Sequence, residues 1–162
     1  MPMGNSTQHL VLKHIEHSVE IAATPQKVWA LVSDLPRLSE WSPQVLKSFL
    51  RGGRPIALGS RLLNVNRKGL LVWPTRSKVV RFETGREIAW RIKENGSTWS
   101  FTLEPTPEGT RLVQRREAPD GLSNVSISLT DRFMGGQGDF QDELQQGMRQ
   151  TLSRVKQLAE RA

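Results

Sequence analysis

The sequence predicts an α+β fold in which a curved antiparallel sheet of about seven strands wraps around one long C-terminal helix. Three observations carry this expectation. Near the N-terminus a strand runs into a Thr-Pro helix start, Ser18-Val19-Glu20-Ile21-Ala22-Ala23-Thr24-Pro25. The middle of the chain is a succession of short alternating segments punctuated by glycine turns, and the C-terminal stretch repeats apolar side chains at spacings of three and four. A sheet and a lone helix each own an apolar face, and laying one across the other covers both. Where the enclosed volume exceeds what side chains fill, a pocket for a small apolar ligand remains.

Each element has its own signal. Ile15, His17, Val19 and Ile21 alternate with Glu16, Ser18 and Glu20, a half-buried first strand. Thr24 offers an N-cap oxygen, and Pro25 fits the first helical position, where its missing N–H is no loss. Val28, Trp29, Leu31 and Val32 give this helix its apolar face. Trp29 is read as structural, with truncation to alanine costing about 3–5 kcal/mol. Asp34 heads a second short helical turn that ends near Trp41-Ser42-Pro43, because proline pushes the preceding residue out of the helical region. Strands follow over 45–51, 60–67, 71–83, 87–93, 98–104 and 110–117, each closed by a glycine-bearing turn, of which Asn95-Gly96 is the strongest hairpin signal. Ile88, Trp90 and Ile92 share one face of their strand, as do Trp99, Phe101 and Leu103 of the next. Consecutive hairpins of this kind make a meander with one face on the core and one in water. Residues 122–138 are irregular, and Gly135-Gly136-Gln137-Gly138 reads as the hinge of a lid over the pocket. Asp139 is placed as the N-cap of the last helix, whose stripe is Phe140, Leu144, Met148, Thr151, Leu152, Val155, Leu158 and Ala159.

At 162 residues the chain fits a polar, flexible leader over 1–12 and a single domain over 13–162. It has no cysteine, which argues against a disulfide framework, a redox centre or a thiol nucleophile. No window approaches the ~20 apolar residues of a membrane span, and a cytoplasmic protein is expected. The net charge of +7 raises the question of nucleic acid. The basic residues are scattered over every element, however, which reads as a solvated surface without a specific nucleic-acid partner.

Few residues carry chemistry. His14 and His17 leave opposite faces of a strand, and with only His9 besides them no metal site is expected. The glycine cluster before the last helix lacks the Lys-Ser/Thr of a phosphate loop, and Asp139 would repel phosphate. If Leu112 points inward, Gln114 and Arg116 share its face, and a buried arginine calls for an anion or water to meet it; a strand end that turns Arg116 to solvent is the alternative. Asn64 and Asn66 share a face with Leu62 as a second pair of polar anchors. The chain has no tyrosine, and His17 is the one acid–base group on the assigned inward faces, a base if the protein is an enzyme. That scarcity favours binding over catalysis.

The order strand, two short helices, six-strand meander and long helix resembles the START-like, helix-grip SRPBCC superfamily, most closely its bacterial polyketide cyclase/dehydrase branch. The matching residues are Val19–Pro25 with Val28-Trp29, Asp34, Trp41, Gly59-Ser60-Arg61, Gly85–Trp90, Phe101–Pro105, Gly109-Thr110-Arg111 and Leu152 with Lys156 and Glu160. The resemblance implies a cavity between sheet and helix for lipids, sterols, hormones or polyketides, in some members with catalysis. It does not select among them. No cofactor is expected. The leading expectation is a monomer or homodimer that binds a small hydrophobic ligand, lipid-like, aromatic or polyketide-like, and anionic if Arg116 faces the cavity. Its wall would be Trp90, Trp99, Phe101, Met148 and Leu152, with Gln114 and Arg116 as polar anchors. The alternatives are a metal-free polyketide cyclase, aromatase or dehydratase, and a START-like protein-interaction module.

Overall fold

Antiparallel pairing joins every strand among the described residues. The computed structural model describes residues 14–52, 55–118 and 137–161. The strands are β1 (His14–Ile21), β2 (Val45–Arg51), β3 (Arg61–Lys68), β4 (Leu71–Glu83), β5 (Glu87–Ile92), β6 (Thr98–Thr106) and β7 (Gly109–Glu117). They form a single antiparallel sheet in the order β1-β7-β6-β5-β4-β3-β2. β2 to β7 are thus a meander, and β1 returns to pair with the last strand, Val19 opposite Leu112 and Ile21 opposite Thr110. Between β1 and β2 lie α1 (Pro25–Val32), a 3-10 turn (Leu35–Arg37) and α2 (Leu38–Trp41).

Local chemistry sets these boundaries. Thr24 accepts a hydrogen bond from the Lys27 backbone N–H at 3.3 Å, with Pro25 in the first turn. Asp34 occupies the N-cap position of the 3-10 turn without a side-chain capping bond. The β5–β6 turn needs Gly96, whose φ is +73°, while the Asn95 side chain accepts from the Ser97 N–H at 2.9 Å.

The long helix, α3 (Gln137–Glu160), starts earlier than expected. Asp139 lies inside it, so it is not the cap, and Gly138 is helical. Glycine is tolerated there because first-turn N–H groups have no intrahelical acceptor to lose. The remainder of the expected hinge and lid, 122–136, and the leader over 1–12 fall outside the described residues. No helix among the described residues is long and apolar enough to cross a membrane.

The core lies between sheet and helices. Val28 and Val32 of α1, Leu35, Val79, Ile88, Phe101 and Leu112 of the sheet, and Leu152, Val155 and Ala159 of α3 form one buried cluster. Trp29 packs against its margin, half-buried, with its ring edge-on to Phe82 at 5.6 Å. The cost of Trp29→Ala is therefore below the range for a fully buried tryptophan, about 2 kcal/mol by urea titration.

The end of α3 is clamped to β1. The Ala22 N–H donates to Glu160 Oε2 at 2.8 Å, and Lys156 Nζ reaches both Glu160 Oε2 (2.7 Å) and the Glu20 carbonyl (2.8 Å). The Lys156 hydrogen bond, then that from Ala22, hold the Glu160 carboxyl below the usual carboxylate range. A depressed pKa means stability that is present above the unfolded value, about 4.3, and lost as pH falls through the folded one. Protection of the Ala22 amide, its NMR exchange rate divided into the unstructured rate at the same pH, should hold between neutral pH and pH ~5 and fall below about pH 4. In Glu160→Gln that acid step should be gone.

Candidate functional site

The inward face of the sheet changes character along its strands. On β7, Thr110 and Leu112 meet the core, and the same alternation carries Gln114 and Arg116 inward, 4% and 1% exposed. The stripe of α3 divides likewise. Leu152, Val155 and Ala159 pack into the main cluster, whereas Leu144 and Met148 form a smaller one with Ile15 and the edge of Trp99. Between the two the walls stand apart, and a cavity of about 340 Å³ opens. Its apolar walls include Trp73, Trp90, Trp99, Leu144 and Met148, with Pro43 and Val45 at the start of β2.

Its polar groups fall into two sets. Asn64 takes a hydrogen bond from Ser48 Oγ (2.8 Å) and gives one to Ser77 Oγ (3.2 Å), while Asn66 Nδ2 bonds Thr75 Oγ1 (2.9 Å). That ladder is satisfied within the sheet. The second set is open: Gln114 Oε1 and Trp99 Nε1 are buried with no hydrogen-bond partner among the described residues. A buried polar atom left unpaired costs about 1–3 kcal/mol, so this pair marks where a ligand acceptor and donor are rewarded. Arg116 lies beside them, its guanidinium carbon 6.0 Å from the Trp99 ring centre. Burial lowers the Arg116 pKa to about 10, which still leaves it charged at neutral pH.

Two carboxylates also line the cavity, Glu94 from the β5–β6 turn and Glu143 from α3. Burial alone would raise the Glu94 carboxyl, but hydrogen bonds from the Arg76 backbone N–H and guanidinium hold it below its usual range. Glu143 pairs with Lys68 at 2.8 Å.

A family model described as polyketide cyclase / dehydrase and lipid transport matches residues 13–160. The chain belongs to that family. No curated protein matches it in sequence. Among solved structures it is similar to the di-domain aromatase/cyclase StfQ of the steffimycin biosynthetic pathway, with a TM-score of 0.73 and 17% identity over 96% of this chain. It spans about half of that protein, 53% of its length. The Zhui aromatase/cyclase from Streptomyces sp. R1128 superposes with a TM-score of 0.69 at 16% identity, over 92% of this chain and 94% of that one. The Polyketide_cyc-like protein Cgl2372 from Corynebacterium glutamicum is 27% identical, with a TM-score of 0.61 and 91% of each chain covered. The architecture is the helix-grip one.

For this member of the polyketide cyclase / dehydrase and lipid transport family, the cavity brings together Trp90, Trp99, Gln114, Arg116 and Met148 from the residues singled out in sequence. Phe101 and Leu152 are not on its wall. Both are sealed in the main cluster, Phe101 one row deeper on β6 behind Trp90, ring centres 5.7 Å apart. His17 faces inward opposite Gln114 but sits one strand further out, half-buried, and its ring does not line the cavity. Glu94 and Glu143 escaped sequence reasoning. Glu94 lies in a turn, where alternation assigns no face. Glu143 carried a legible signal, since Glu143, Gly147 and Thr151 are spaced by four along one edge of the α3 stripe, and all three line the cavity.

Proposed function

We propose that this protein binds a small hydrophobic ligand with an acidic or otherwise hydrogen-bonding head group in the cavity between sheet and α3. One observation carries the reading: an apolar, tryptophan-rich wall in which the unpartnered polar atoms, Gln114 Oε1 and Trp99 Nε1, converge next to Arg116. The tail would lie against Trp73, Trp90, Leu144 and Met148; an acidic head would accept from Arg116 and Trp99 Nε1, and Gln114 Oε1 would accept from a hydroxyl or other donor on the ligand. Membership of a family whose description includes lipid transport supports the same reading.

The test is to extract the purified protein with organic solvent, identify what is released by mass spectrometry, and titrate that compound back. A stoichiometric apolar compound is the expected result. Gly147 lines the cavity, and a β-carbon there would find only Pro43 Cγ at 3.8 Å, so Gly147→Leu should fold and lose most of the loading. Full loading of Gly147→Leu would place the ligand elsewhere.

A second reading, an aromatase/cyclase or dehydratase, is supported by the similarity to StfQ and Zhui. In it, catalysis would fall to Glu94 or Glu143, the titratable carboxylates at the wall, rather than to His17. Each is bound to a cation, which suits an ionised acceptor better than a proton donor. Turnover of a synthetic poly-β-ketone that is lost in Glu94→Gln would favour the enzyme.

A further inference from the structure

We propose that the outer face of β2, β3 and β4, together with the tip of the β3–β4 hairpin, docks on an anionic phospholipid surface and brings the cavity mouth to it. The basic residues are dispersed in the sequence, but strand register gathers them. Arg51 pairs with Arg61, Arg61 with Lys78, and Lys78 with Arg91, so four cations stand in one row across four adjacent strands. All four are exposed, and none has an ion-pair partner among the described residues. At the spacing of neighbouring strands the row is about 15 Å long. Like charges directly opposite one another weaken a sheet, so this arrangement costs stability unless something negative covers it.

The other half of the same face is built differently. There Arg115 meets Glu16, Arg111 meets Glu104 and Arg81 meets Glu87. On the basic half the nearby acids Glu94 and Glu143 are already committed to Arg76 and Lys68.

Aliphatic side chains choose among polyanions. From the cationic row toward the hairpin tip the same face presents Phe49 and Leu63, then Val65, then Val72, and ends at Leu70, which is 97% exposed in the turn after Gly69. A nucleic acid rewards aromatic stacking and phosphate contacts but offers little to leucine and valine. A lipid surface rewards both halves, phosphates for the cations and acyl chains for the aliphatic tip. The tip also adjoins the mouth. Asn66, Trp73 and Pro74, on the two strands that leave this turn, line the cavity, and Lys68 beside Gly69 holds Glu143 on its far rim.

The purpose of such docking, exchange of an apolar ligand with the bilayer, rests on the reading above; the docking itself is measured without ligand. The experiment is co-sedimentation of the full chain with vesicles of phosphatidylcholine alone or with one third phosphatidylglycerol, at low and high salt. Binding is expected to the anionic vesicles at low salt and to fall with salt. Arg61→Glu with Lys78→Glu should weaken it about a hundredfold at a melting temperature no lower than the parent's, since two of the three like-charge pairs become opposite ones, and Leu70→Asp about tenfold at unchanged melting temperature. Indifference to phosphatidylglycerol, no sedimentation at low salt, or parental binding by the charge-reversed protein would overturn the proposal. So would tight binding to a DNA duplex that Leu70→Asp leaves intact, since that is a polyanion site with no use for the tip. Ligand titration in vesicle-free buffer tests the cavity separately, so either idea can fail alone.

Discussion

Replacing Gly109 by alanine is expected to lower stability by about 3–5 kcal/mol, seen as a shift of the whole urea transition to lower denaturant at constant slope. Gly109 opens β7 with φ +154°, and a β-carbon built there would sit 2.2 Å from the Ile21 carbonyl oxygen, 2.8 Å from the Ala23 nitrogen and 2.9 Å from its oxygen. These are backbone atoms, so no rotamer change relieves the clash. The end of β1 would have to move, and with it the Thr110 hydroxyl bond to the Ala23 carbonyl at 2.8 Å and the Ala22 contact that holds α3. An alanine variant as stable as the parent would mean that the β1–α1 junction yields far more easily than its hydrogen bonds indicate.

The second large effect concerns the ligand. Arg116→Met keeps most of the apolar stem and removes the charge. A charge-assisted hydrogen bond is worth about 1.5–3 kcal/mol, so an acidic ligand such as a long-chain fatty acid should bind roughly ten- to a hundredfold more weakly to the variant. Its methyl ester should lose no more than about threefold. Isothermal titration of both compounds against both proteins reads the difference directly. Equal losses for acid and ester would reduce Arg116 to a wall residue, and the head group would then fall to the Trp99 Nε1 donor.

How much of this was legible in the sequence depends on what kind of information each feature carries. Strand period is written locally, so the inward direction of Trp90, Trp99, Gln114 and Arg116 could be read from alternation with Ile88, Phe101 and Leu112. Depth along a strand is not written locally. Phe101 and Trp99 share a face, yet one is core and the other cavity wall, because α3 closes on the sheet at Leu152 and again where Met148 meets Trp99, and the walls part between the two contacts. Register is equally silent in a single strand. Arg51, Arg61, Lys78 and Arg91 became a row only when three hairpins fixed which residues lie opposite one another. The helix start was misplaced by three residues, because a capping aspartate is a strong local signal and Asp139 lies inside the helix.

The distribution of tryptophan has an optical consequence. The chain has five tryptophans and no tyrosine, so its near-ultraviolet emission is that of indole alone. Trp73, Trp90 and Trp99 stand on the cavity wall, while Trp41 is sealed in the core and Trp29 lies at the margin of α1. Three of the five indoles therefore stand where a ligand would change their surroundings. Occupancy should shift the emission to shorter wavelength, and an iodide quencher should reach the empty protein more readily than the loaded one. The molecule carries its own unlabelled reporter, and competing compounds can be ranked against it in a cuvette.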